Sequence, residues 1–120
     1  MQIEQHESGD VMIVRISGDI TLNKGGDIRL RDKTHSLLQQ GYRKILVDLG
    51  NVSAVDSSGL GQLVQAHVSA ARQGASLKLL HVTRKLHDLL VVTKLLLVFD
   101  TFEQEAEALA SFTEGDAARV

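Results

Sequence analysis

One stretch, Val47 to Val64 (VDLGNVSAVDSSGLGQLV), restricts the fold of this chain more than any other. It opens as an apolar run, breaks at Gly50-Asn51, crosses a short extended piece and turns helical at Asp56-Ser57-Ser58-Gly59. That is strand, loop, helix. An aspartate accepts the backbone N–H bonds that a first helical turn cannot make internally, so Asp56 is the expected N-cap, a role that Asn fills about as well. Ser57 and Ser58 then fall in the first turn, where orphan N–H groups and the positive end of the helix dipole favour added negative charge. A hydroxyl there is placed to carry a phosphate.

Hydrophobic spacing orders the rest. Ile3 begins a strand, and Val11 to Ile16 alternates as a second. Only Glu7-Ser8-Gly9-Asp10 lies between them, so they pair as an antiparallel hairpin, closed by Gly18. Thr21 to Gly26 reads as a loop, with Asn23 or a neighbour capping a helix that runs to about Gln40 and buries Leu30, Thr34, Leu37 and Leu38. Lys44 to Leu49 is apolar without clean alternation, as a strand covered on both faces should be. The helix from Ser57 to near Gly74 turns Leu60, Leu63, Val64, His67, Val68 and Ala71 to one side. A strand from Leu77 to Val82 follows. Thr83 caps a helix with Leu86, Leu89 and Leu90 inward, and a short strand is expected around Leu97 to Asp100. Thr101-Phe102-Glu103-Gln104 has capping-box spacing for a last helix lined by Phe102, Ala106 and Leu109.

This order predicts one α/β domain over residues 1–112: a mixed, largely parallel sheet with an N-terminal hairpin and about four helices, then a frayed tail at 113–120. Ligands and partners of such sheets meet the carboxyl ends of the parallel strands. Thr21 to Gly26, Gly50 to Asp56 and Val82 to Lys85 are the loops expected there. Arg84 and Lys85 open a helix where cations oppose the dipole, which makes them candidates for facing negative charge beside Ser57.

Val47-Asp48-Leu49 followed by Asp56-Ser57-Ser58-Gly59-Leu60-Gly61 resembles the signature of the STAS domain family, and the order of elements extends the resemblance over Ile3 to Phe112. The resemblance implies a regulatory binding module and not an enzyme. In the stand-alone anti-sigma factor antagonists, the serine after this aspartate is phosphorylated by a serine kinase that is itself the anti-sigma factor. Carried over, that serine is Ser57. Unphosphorylated, such a protein binds a GHKL-type kinase and so releases a sigma factor for transcription; phosphorylated, it lets go, and a serine phosphatase resets it. The expected contacts are Asp56, Ser57, Ser58 and Gly59, with Thr21, Asn23, Arg84 and Lys85 from the flanking loops. The other role the resemblance allows is a scaffold or subunit of another assembly, such as a stressosome or a lipid-transport complex, with Ser57 unphosphorylated. Two departures stand out. Threonine occupies Thr21 where regulatory members often carry an acid, and Lys94 stands where many members have the glycine of T-G-L.

Composition narrows the function further. A formal charge of −2 gives no basic footprint for nucleic acid, and Tyr42, Phe99, Phe102 and Phe112 are too scattered to form a base-stacking platform. The chain has no cysteine, and its five histidines are dispersed, so neither thiolate chemistry nor a metal site is expected. No cofactor motif is present, and neither serine lies in a G-x-S-x-G elbow, so serine catalysis is not expected either. The start has no apolar leader, and Leu89 to Phe99 is far shorter than the ~20 residues of a membrane span. A cytoplasmic monomer is the expectation.

Overall fold

Hydrophobic residues on alternating sides of the central strands dictate a sheet covered on both faces. The computed structural model describes residues 1–118, with side chains through Thr113. In chain order the elements are β1 (Gln2–Ser8), β2 (Val11–Ile20), α1 (Gly26–Gln39), β3 (Lys44–Val55), α2 (Ser57–Arg72), β4 (Ser76–Leu80), α3 (Arg84–Val92), a 3-10 turn (Leu96–Val98), β5 (Thr101–Phe102) and α4 (Glu105–Ala118). The sheet order is β1-β2-β3-β4-β5, with β1 antiparallel to β2 and every other neighbouring pair parallel. Met12, Val14 and Ile16 of β2 and Ile45, Val47 and Leu49 of β3 face a core closed by α1, α2 and α3. Their neighbours Val11, Ile13 and Leu46 face a smaller core under α4, completed by Leu80, Ala108 and Phe112.

Several boundaries differ from expectation. β3 does not break at Gly50-Asn51: it continues to Val55, pairing Asn51, Val52, Ala54 and Val55 with Ser17, Gly18, Asp19 and Ile20. Two register shifts accommodate extra residues in β3 and bend this extension. The stretch from Gly50 to Val55 is therefore a projecting strand end, not a loop. The side-chain cap expected from Asn23 is absent: α1 starts after Gly25, which is left-handed at φ 70 and makes no side-chain cap bond. In α2 the buried set is Gly59, Leu60, Leu63, Ala66 and Ala70, whereas Ala71 is exposed. α2 packs against α1 as well as the sheet, which rotates its buried stripe toward the small residues at that helix seam.

The last strand also moves. Leu97 is 96% exposed in the 3-10 turn, and pairing with β4 falls to Thr101–Phe102. Thr101 is thus in the sheet and does not cap; α4 begins at Glu105 and turns Ala108 and Phe112 inward, leaving Ala106 exposed. The helix extends past Phe112 as far as Ala118, into the expected tail, and positions 119–120 lie outside the described residues. Lys94 adopts the left-handed conformation itself, at φ 61, with its N–H donating to the Val91 carbonyl and that of Leu95 to the Leu90 carbonyl. The turn that glycine would make easily is kept, at the strain cost of a side chain in that region.

Candidate functional site

α2 begins where the projecting end of β3 stops, and Asp56 is the joint. Its backbone is extended (φ −96, ψ −175). Oδ1 accepts the Gly59 N–H at 2.8 Å, the expected cap, while Oδ2 accepts the Leu22 N–H at 2.9 Å. The second bond reaches from α2 to the β2–α1 loop and clasps the two together. These two donors, Leu22 foremost and Gly59 next, hold the Asp56 carboxyl below the usual carboxylate range.

Gly59 of the motif, and Gly26 at the start of α1, are required by close approach, not by turn geometry. A Cβ on Gly59 would lie 2.0 Å from the Ile20 carbonyl oxygen, and one on Gly26 would lie 2.2 Å from that of Asp19. The first turns of α2 and α1 thus both press on the last peptides of β2. Gly59 is buried, so its contribution to any partner contact is indirect. Ser57 is exposed at the first position of α2, and Ser58 is half-buried beside it. Thr21 Oγ1 donates to Asn23 Oδ1 at 2.9 Å, which tightens the loop between β2 and α1 from within.

The basic pair is split. Lys85 lines a groove of about 150 Å³ with Val52 to Val55, Thr83, Leu86 and Leu89, next to the strand end that leads into Ser57. Arg84 lines a different depression, with Val82, His87, Asp88 and Glu103. Thr83 caps α3 as expected, its Oγ1 accepting the Leu86 N–H at 3.3 Å.

Two features escaped the sequence reading. Leu22, whose backbone is bonded to Asp56, is 63% exposed, and Ile28 in α1 is 45% exposed. Leu22 is thus an exposed apolar side chain at the start of α2, while Ile28 lies in the first turn of α1, and the available signal was a leucine set between polar loop residues. The second feature is Asp48. Its Oδ1 accepts the Gly50 N–H at 3.0 Å and lies 3.1 Å from His81 Nδ1, while Oδ2 lies 3.4 Å from Arg15 Nε. Arg15 in turn reaches Glu105 Oε1 at 2.9 Å. The motif's first aspartate thereby ties β2, β3 and the start of α4 to the β4–α3 turn, where His81 is left-handed at φ 54. Among the described residues no group of three or more His, Asp and Glu side chains gathers to hold a metal ion.

The family model of the STAS domain matches residues 2–108. The chain belongs to the STAS domain family. Among relatives of this STAS domain, the anti-sigma F factor antagonist of Paenibacillus polymyxa is 26% identical over 109 residues, covering 91% of this chain and 92% of that protein. An anti-sigma factor antagonist from Mycobacterium paratuberculosis superposes with a TM-score of 0.80 at 16% identity, covering 92% of each chain. The Bacillus cell fate determinant SpoIIAA in its phosphorylated form superposes at 0.71 with 17% identity, covering 92% of this chain and 99% of SpoIIAA. These structural similarities establish the STAS fold, with its hairpin and mixed sheet. No helix among the described residues is long and apolar enough to cross a membrane.

Proposed function

We propose that this STAS domain is an anti-sigma factor antagonist: a binding module that sequesters a serine-kinase anti-sigma factor and is switched off by phosphorylation of Ser57. The observation that carries the reading is the exposed Ser57 hydroxyl on the first turn of α2, held in place by the Asp56 clasp. The curated relative that is an anti-sigma F factor antagonist supports the role, and the phosphorylated form of SpoIIAA supports the switch. Leu22 supplies apolar contact from the loop clasped to Asp56, while Thr21, Asn23 and Ser58 supply polar contact. Lys85, in the groove along the projecting end of β3, meets negative charge brought by the kinase's nucleotide; Arg84, in the other depression, has the lesser part. A serine phosphatase completes the cycle.

Phosphate adds about −1.5 to −2 charges, which a partner covering the loop must desolvate. An uncompensated cost of ~3 kcal/mol weakens binding roughly a hundredfold. The test is titration of the cognate GHKL-type kinase with Ser57→Ala and Ser57→Asp variants, alongside intact-mass mapping of the phosphorylated wild type. Ser57→Ala should bind as the wild type does and resist switching, and Ser57→Asp should bind weakly. Equal affinity of the two variants would discard the switch. Absence of a cognate kinase, with Ser57 unmodified in the host, would favour a scaffold role in another assembly.

A further inference from the structure

β1 forms one margin of the sheet, and its outer side pairs with nothing among the described residues. Ser8 and Val11 flank a two-residue turn, which makes them a hydrogen-bonded pair. By alternation Gln2, Glu4, His6 and Ser8 direct their backbone groups toward β2, and Ile3, Gln5 and Glu7 direct theirs outward. A second copy placed antiparallel, with its two-fold axis through Gln5, overlaps the full length of the strand. Three outward residues on each copy then exchange N–H and C=O bonds.

Side chains discriminate this register from a merely blunted edge. Edge strands are commonly blunted by charged side chains, lysine above all, and a register that gives those charges opposite partners permits pairing. Here, on the α4 side of the sheet, Glu4 stands opposite His6 of the second copy, with Arg15 beside Glu4 across β2. On the α1 side, Glu7 of the second copy stands opposite Ile3. An open groove there is lined by Ile3, Arg29, Asp32, Lys33 and Ser36. Its acid, Asp32, is engaged by Arg31 at 3.2 Å, and its cations already lean on β1: Lys33 Nζ donates to Gln5 Oε1, and Arg29 donates to the Met1 carbonyl. Glu7 is engaged within its own copy by the Tyr42 hydroxyl, which donates to its Oε1. One two-fold operation therefore sets Glu4 against His6 on one face and brings Glu7 toward the groove of Arg29 and Lys33 on the other, while Gln5, to which Lys33 donates, meets its counterpart at the axis.

We propose that this protein forms a symmetric dimer through β1, joining two five-stranded sheets into one, in place of the monomer expected from the sequence. Each copy keeps its own Ser57 edge. The interface is one strand wide, so the dimer is a concentration-dependent one.

The absence of cysteine makes the test clean. Across the axis, residue 5 of one copy faces residue 5 of the other at hydrogen-bonded strand spacing, about 5.5 Å between Cα atoms and within disulfide reach. At residues 4 or 6 the equivalent separation is about 8 Å, beyond it. Under mild oxidation, Gln5→Cys should cross-link to a dimer while Glu4→Cys and His6→Cys lag at least tenfold. In sedimentation equilibrium, the wild-type mass should rise toward twice the chain mass with concentration. Glu7→Lys should weaken association at least tenfold. Gln5→Pro, which removes an outward backbone N–H and the exposed contact with Lys33 but no bond to β2, should abolish association and keep its far-UV circular dichroism. A wild-type mass fixed at one chain throughout the series would overturn the proposal. So would a dimer that cross-links no faster at residue 5 than at 4 or 6.

Discussion

Asp56 uses both carboxylate oxygens on backbone donors from different elements, and that changes what Asn can do there. An amide has one acceptor oxygen, so Asp56→Asn keeps either the cap or the clasp and turns an NH₂ group toward the other N–H. The variant should melt below wild type at neutral pH, contrary to the equivalence expected of a simple cap. Because the folded carboxyl is held below its ordinary value, its contribution is complete above the usual carboxylate range and lost as pH falls through the lowered one. The gap between wild type and Asp56→Asn should therefore close in acid, which thermal melts across pH 7 to 2 would reveal. Glycines in the same motif separate by environment. Gly59→Ala must move the α2 turn off Ile20 and should cost about 1–3 kcal/mol, whereas Gly61→Ala, with open space around its Cβ, should stabilise by about 0.5–1 kcal/mol. Chemical denaturation of the two variants checks both signs. The cap at Asp56 and the place of Ser57 at the start of α2 were legible in the sequence. The clasp to Leu22 was not, because a bond between positions 34 apart leaves no local pattern.

At the scale of elements, strands and helices were found from their apolar spacing, and the misses lie where a local signal was overridden by tertiary contact. Gly50-Asn51 has turn composition, yet β2 offers a neighbour as far as Ile20 and the bulges let β3 keep pairing. Gly50 instead serves close packing, since a Cβ there would lie 3.2 Å from that of His81. Capping-box spacing at Thr101 likewise lost to strand pairing at the end of β4, where the His81 N–H donates to the Phe102 carbonyl at 2.9 Å. Among the described residues α4 packs on the smaller of the two cores. Ala108 and Phe112 are its buried apolar anchors, and Lys78 Nζ sits 4.7 Å from the Phe112 ring while donating to Ser111 Oγ. Phe112→Ala removes a buried ring and one partner of that cation–π contact, and should cost about 3 kcal/mol. The uncovered Val11, Ile13, Leu46 and Leu80 should then bind a hydrophobic dye. A variant of unchanged stability that binds no dye would mean that α4 is held by other contacts.

For the whole molecule, the class was readable because alternation of strand and helix after one short hairpin leaves few topologies. The switch proposed for Ser57 should act without refolding. Added charge at the first helical position is favoured by the dipole by about 0.3–1 kcal/mol and opposed by neighbouring Asp56, so Ser57→Asp should lie within about 0.5 kcal/mol of wild type in denaturant melts. A larger loss would indicate that the phosphate works by melting α2. The starts of α1 and α2 both abut the final peptides of β2, and Asp56 stitches the intervening loop to the second of them. An edge assembled so tightly has little freedom left to surrender. Its encounter with a partner should resemble the fitting of two finished parts: fast association, little change in amide exchange beyond the contact itself, and a heat-capacity change accounted for by the area covered.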